Sequence, residues 1–191
     1  NTLLSNLVDP LHDANIAASY GRHIPRPDAS PLERFARQFN YPDNKIIKGM
    51  EDIQKYGIRT FFFSDACSAI RKDVFLKIGM FPENIRVNED MLLAAKLIMN
   101  GYKIAYVPDA SVMHSHSYSL FQLAKRYYNI GFSLKRNAWI LKHAQAEGEG
   151  IRFVREQISF VLKEHKYQWL PYIFLEAAAK YTGYKIGLSA G

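Results

Sequence analysis

Residues 91–99 are apolar at almost every position, with Asn88-Glu89-Asp90 before them and Asn100-Gly101 after. The length of the run and its ends predict a helix with an Asn cap, two acids at the positive end of its dipole, and a glycine stop. A helix apolar on all sides has to be buried on all sides. A β-rich run at residues 103–107 follows at once and closes at Pro108, so the helix is expected to lie in a layered α/β domain.

The remainder of the first 119 residues keeps this alternation. The pattern predicts a helix end at residues 3–8, a strand over 15–20 closed by Gly21, a loop from 21 to 31 and a helix over 32–39. A turn-rich stretch at 40–49 then leads to a short helix over 50–56. Residues 58–63 and 66–70 read as β-rich with Ser64-Asp65 as a kink, 73–78 as a short helix, and 112–116 as a second extended segment. From Leu120 a long amphipathic helix runs toward Leu141, and residues 151–191 are mostly helical with a kink at Pro171. The expected organisation is an α/β part over residues 1–119 and a basic, mainly helical extension over residues 120–191.

Charge follows that division. Residues 1–119 carry 14 Lys/Arg against 13 Asp/Glu, whereas residues 120–191 carry 11 against 5. Nearly all of the net charge of +7 therefore belongs to the extension, which favours anionic partners. The single cysteine, Cys67, rules out an internal disulfide framework and a Cys-based zinc site, and reads as a small buried hydrophobe. No stretch approaches the ~18–20 apolar residues of a membrane span, and no basic-then-apolar leader is present. The chain opens at Asn1, partway into a helical pattern, so an upstream portion is expected.

Two places carry residue types suited to chemistry. Glu89 and Asp90 open the apolar helix, where the dipole favours their ionised forms and a carboxylate held beside a loop can act as a general base. Any stable helix also benefits from an acidic first turn, so that plainer role stands beside the catalytic one. His114 and His116 lie two apart on an extended segment, which puts both imidazoles on one face, and imidazole is a common ligand for divalent metals. No further acid or histidine follows at metal spacing, so the pair is expected to serve a site completed from elsewhere.

The blocks Phe62-Phe63-Ser64-Asp65-Ala66-Cys67-Ser68-Ala69-Ile70-Arg71, Gly79-Met80-Phe81-Pro82-Glu83, Asn88-Glu89-Asp90-Met91-Leu92-Leu93-Ala94-Ala95-Lys96-Leu97, Gly101-Tyr102-Lys103-Ile104-Ala105-Tyr106-Val107-Pro108 and His114-Ser115-His116 occur in that order. Together they closely resemble the family 2 glycosyltransferases, and within them the bacterial rhamnosyltransferase-type subgroup. Segments 21–26, 31–35, 125–131 and 180–187 fit that subgroup too, so the resemblance spans nearly the whole chain. It implies an α/β, GT-A-type glycosyltransferase fold, present in part, with a nucleotide-sugar donor and a divalent cation (Mg or Mn). It also implies inverting transfer to a glycan or lipid-linked acceptor in cell-surface polysaccharide synthesis, with rhamnose as the subgroup's sugar.

In that family the acid pair at the helix start supplies the base, which maps onto Asp90 with Glu89 beside it. A downstream histidine completes the metal site, which maps onto His114 better than onto His116. Ser64 and Asp65 become candidates for binding sugar hydroxyls, Arg22 and Arg26 for meeting phosphate, and Arg126 with Tyr127 for reaching the diphosphate. The family's N-terminal half, with the nucleotide-binding strands and an Asp-x-Asp motif, has no counterpart here, so the chain corresponds to the acceptor-side part and is expected to be inactive alone. The resemblance further implies a cytoplasmic protein, peripheral at the inner face of the cell membrane. Two other readings stay open on the residues: a non-catalytic fragment of the same fold, or a basic module for an anionic membrane or nucleic acid. Since no recognised nucleic-acid motif accompanies Lys125-Arg126-Tyr127-Tyr128, nucleic acid is not an expected partner.

Overall fold

The structure, a computed structural model, describes residues 2–83, 85, 87–144 and 148–191. Along the chain lie α1 (Thr2–Val8), β1 (Ile16–Ile24), α2 (Pro31–Asn40), β2 (Ile46–Lys48), α3 (Ile53–Tyr56), β3 (Ser68–Ile70) and α4 (Lys72–Lys77). They are followed by α5 (Glu89–Met99), β4 (Lys103–Met113), α6 (Leu120–Arg136), α7 (Trp139–His143), α8 (Glu149–Lys163) and α9 (Leu170–Ala190). These elements make two compact units, one of residues 1–23, 41–113 and 140–146, the other of residues 24–40, 114–139 and 147–191.

The first unit is built on a mixed sheet of order β2-β4-β1-β3. β1 and β3 are antiparallel, with Ser19 opposite Ala69, and so are β2 and β4, with Ile47 opposite Ala105. β1 and β4 run parallel, since Lys103 N donates to Asn15 O at their start and His114 N to Ile24 O at their end. The first six residues of β1 are buried, as in a strand covered on both faces. Tyr20 lies among the rings of Phe63 and Tyr106, at centroid distances of 5.3 and 5.2 Å. α5 buries Leu92, Leu93, Ala94, Ala95, Leu97 and Ile98, which is the all-round burial its composition demands. Cys67 packs with Leu7, Val107 and Ala110 as the buried hydrophobe expected of it.

Four expectations fail here. Gly21 does not close β1; the strand continues to Ile24, and Gly21 is glycine because a Cβ there would collide with the Ala110 carbonyl and Cys67. Pro108 does not end β4, because the last pair with β2 is Tyr106 opposite Ile46, and a residue beyond it has no β2 ladder bond to lose. Residues 57–61 form a 3-10 turn instead of a strand, and Lys48 Nζ takes the Arg59 and Phe62 carbonyls at 3.0 and 2.7 Å. Lys48 itself lies on β2, in a stretch expected to be all turn.

The second unit is helical. α2 meets α8 through Leu32, Val161 and Ile173 of α9, and through Phe35 and Phe39 around Phe153 at 5.2 and 5.0 Å. α6 and α9 touch backbone to backbone: a Cβ at Gly183 would strike the Ala124 carbonyl, one at Gly187 the Tyr128 carbonyl, and one at Gly131 the Tyr184 carbonyl. Both partners climb in number together, so the two helices run parallel. The long helix expected to reach Leu141 stops at Arg136, where Asn137 turns both its backbone N–H and its side chain onto the Ser133 carbonyl. Pro171 is the second residue of α9 and does not kink a longer helix; in the first turn a missing N–H costs nothing.

Candidate functional site

Glu89 and Asp90 form the first turn of α5, in the first unit. Asn88 before them sits at φ 70°, ψ 19°, a left-handed conformation that Asn tolerates better than most residues. Its side chain makes no cap bond, contrary to expectation; Asp90 Oδ1 accepts the Met91 N–H at 2.7 Å instead. That bond pins one oxygen of the Asp90 carboxylate at the positive end of the helix. Glu89 is half-buried, and among the described residues its Oε2 is buried with no hydrogen-bond partner. Such an acceptor is uncommon, and a hydroxyl donor from a ligand would satisfy it.

The histidines stand in the second unit, where the chain leaves β4. Their rings meet as the two-residue spacing predicts, with Nε2 to Nε2 at 2.9 Å and planes at 89°. Tyr118 stacks on His116 at 5.3 Å, and the Arg126 guanidinium lies 5.8 Å from the Tyr118 ring. Burial first, then the positive charges of His114, Arg37 and Arg126, lower the His116 pKa against the pull of Glu33, which favours the neutral, ligating imidazole. Glu33 accepts the Ser115 hydroxyl on one carboxylate oxygen and the Ser117 hydroxyl on the other, the latter at 3.4 Å.

The pair fits a cation in part. Neighbouring ligands each ~2.1 Å from one octahedral ion are about 3 Å apart, close to the spacing of the two Nε2 atoms. Among the described residues no group of three or more His, Cys, Asp or Glu side chains is placed to hold a metal ion, so the histidines offer two ligands and not a cage. Without an ion, the same 2.9 Å is an N–H···N hydrogen bond in which one Nε2 donates and the other accepts.

The other candidates divide. Ser64 is buried, and its hydroxyl lies 3.2 Å from His23 Nε2, whose Nδ1 is 3.0 Å from the Tyr41 hydroxyl. Asp65 is exposed at the start of a 3-10 turn. Arg22 is ion-paired with Asp43, and Arg26 with Asp28 at 3.5 Å. Arg126 is exposed and Tyr127 half-buried on α6. Sequence reasoning passed over Glu33, the His23–Tyr41 pair and Lys48. The only signal at Glu33 was local: Ser30-x-x-Glu33 has the spacing of a helix capping box.

A mixed α/β unit with an acid pair opening its buried helix, and a second, helical unit with a converging histidine pair, are therefore what the chain presents. No family model matches it. Its sequence is 43% identical over 185 residues, 96% of the chain, to the O-antigen chain rhamnosyltransferase WbaN of Salmonella anatum, of which those residues cover 58%. It is also 43% identical over 185 residues to the O-antigen chain rhamnosyltransferase RfbN of Salmonella typhimurium (strain LT2), covering 59% of it. The chain thus spans less than two thirds of the length of these curated relatives, and over nearly all its own length it is similar to rhamnosyltransferases.

Proposed function

We propose that this chain carries the acceptor-side residues of an inverting, GT-A-type rhamnosyltransferase of family 2. Such an enzyme moves rhamnose from a nucleotide-sugar donor to a glycan or lipid-linked acceptor in cell-surface polysaccharide synthesis. The observation that carries this reading is the 43% identity, sustained over 96% of the chain, to proteins named as O-antigen chain rhamnosyltransferases. Asp90 is the general base. Its carboxylate takes the proton of the acceptor hydroxyl as that oxygen bonds to the anomeric carbon and the bond to the nucleoside diphosphate breaks. Glu89, with its unpartnered buried oxygen, orients the same hydroxyl or a neighbouring one. His114 and His116 would supply two of the ligands to a Mg or Mn ion, whose charge would offset that of the departing diphosphate. Asp65 and Arg126 face solvent and remain available to sugar and phosphate groups.

The basic, aromatic-rich helices suit a protein that works at the anionic inner face of the cell membrane. Among the described residues no helix is long and apolar enough to cross a membrane. Incubating the full-length protein with a nucleotide-activated rhamnose and a lipid-linked glycan acceptor tests the reading directly. Rhamnosylated product with inverted anomeric configuration is expected. Transfer of a different sugar would reject rhamnose, and retained configuration would reject Asp90 as base in a single displacement.

A further inference from the structure

Glu33 is the third residue of α2, and its backbone N–H is capped by Ser30 Oγ at 3.2 Å. In a complete capping box the glutamate carboxylate would return to the Ser30 backbone N–H. Here it does not. One oxygen accepts the Ser115 hydroxyl and the other the Ser117 hydroxyl, so the carboxylate spans the two serines that alternate with the histidines. Ser115 Oγ also accepts the Arg26 backbone N–H at 3.4 Å, tying the segment to the chain just beyond β1. Residues 114–119 have no regular secondary structure, and the last backbone bond toward β1 is His114 N–H to Ile24 O at 3.1 Å. Past that bond the Glu33 carboxylate fixes both serines, and with them the direction of the two imidazoles.

We propose that Glu33 is the positioning residue of the histidine pair: by clamping Ser115 and Ser117 it holds His114 Nε2 and His116 Nε2 within joint reach of one cation. The purpose of the pair rests on the functional reading above; the clamp itself rests on hydrogen bonds of this structure. The prediction that separates a clamp from an ordinary helix-start acid is non-additivity. Removing Glu33 and removing both serine hydroxyls break the same bonds, so the combined variant should lose no more than either alone.

The experiment titrates the full-length protein with Mn²⁺ alone, followed by electron paramagnetic resonance, in parallel with two-bond ¹H–¹⁵N spectra of its histidine rings. Glu33→Ala is expected to weaken Mn²⁺ binding about 10–100-fold, the usual loss for a residue that orients a ligand. Glu33→Gln, which keeps one acceptor oxygen, should fall between. Ser115→Ala with Ser117→Ala should match Glu33→Ala, adding Glu33→Ala to them should change nothing further, and Ser30→Ala should leave affinity as it was. In the ring spectra of the ion-free protein, His114 and His116 should show opposite tautomers that collapse to averaged signals in Glu33→Ala. Wild-type affinity in Glu33→Ala, with binding lost in His114→Ala, would overturn the clamp and leave the cation reading standing. If the wild-type protein binds no Mn²⁺, the cation reading falls, and the ring spectra decide the clamp: unchanged tautomers in Glu33→Ala reject it.

Discussion

The Asp90 carboxylate accepts the Met91 backbone N–H at the positive end of α5. Because Met91 N–H fixes one carboxylate oxygen, replacing the residue with Asn keeps an acceptor in place and removes only basicity. Asp90→Asn is therefore expected to lower the turnover of the full-length enzyme by about 10²–10⁴ with donor affinity nearly unchanged, while Glu89→Gln lowers it less. Steady-state kinetics at saturating donor check this, and wild-type turnover in Asp90→Asn ends the assignment. Lys48 makes a different kind of prediction. Burial, then the positive charge of Arg59, push its pKa down to about 7 against the opposing Asp52. Between that value and its ordinary range near 10.5 the unfolded chain holds a proton that the folded chain lacks, so folding stability contributed by Lys48 rises with pH. The rise should be about 2 kcal/mol from pH 7 to 9, and Lys48→Met should abolish it even though the Arg59 and Phe62 carbonyls lose their donor. Urea unfolding of both proteins at the two pH values measures the difference in slope.

At the scale of elements, the contact of α6 with α9 is a matter of absent side chains. Gly183 and Gly187 on α9, and Gly191 just past its end, recur every fourth residue and lie against Ala124, Tyr128 and Phe132 of α6. Replacing a helical glycine by alanine ordinarily stabilises by about 0.4–1 kcal/mol, through propensity and the unfolded state. At Gly150, on α8 with open space around it, that gain should appear. At Gly187 the new methyl would meet the Tyr128 carbonyl and the Phe132 nitrogen, backbone atoms that move only if the helices part. Overpacking of this kind costs about 1–3 kcal/mol, so steric cost wins. Gly150→Ala is expected to raise the Tm and Gly187→Ala to lower it. Equal shifts of either sign in thermal denaturation would mean that α6 and α9 do not touch through these glycines.

Over the whole molecule, the charge of +7 is concentrated in residues 120–191, with Lys135, Arg136 and Lys142 all exposed. α9 adds exposed Phe174, Leu175, Tyr181 and Ile186, with Lys185 placed 5.6 Å from the Tyr181 ring. Cations beside aromatic and aliphatic groups are what a peripheral protein uses among anionic headgroups. The full-length protein is expected to sediment with anionic vesicles at low salt and to be released as ionic strength rises. Charge reversal at Lys135, Arg136 and Lys142 should weaken this while leaving circular dichroism unchanged. Equal binding to neutral and anionic vesicles would reject the electrostatic mechanism.

The sequence alone is enough where a repeating local pattern sets the outcome. The burial of α5 follows from an apolar run longer than a strand, and the period of two in an extended chain puts both imidazoles on one side. Tertiary structure decided the features whose cause lies far along the chain. The 3-10 turn at residues 57–61 forms where the Lys48 ammonium on β2 takes two carbonyls that a ladder would otherwise claim. Gly21 stands inside β1, and not at its end, as the residue that lets the Ala110 backbone come too close for any side chain. Glu33 reads as a helix cap in its own segment, and becomes a clamp only when residues 115 and 117 arrive beside it. A hydrogen bond is indifferent to sequence separation, so a polar side chain goes to whichever donor folding brings near, and no local pattern records that choice.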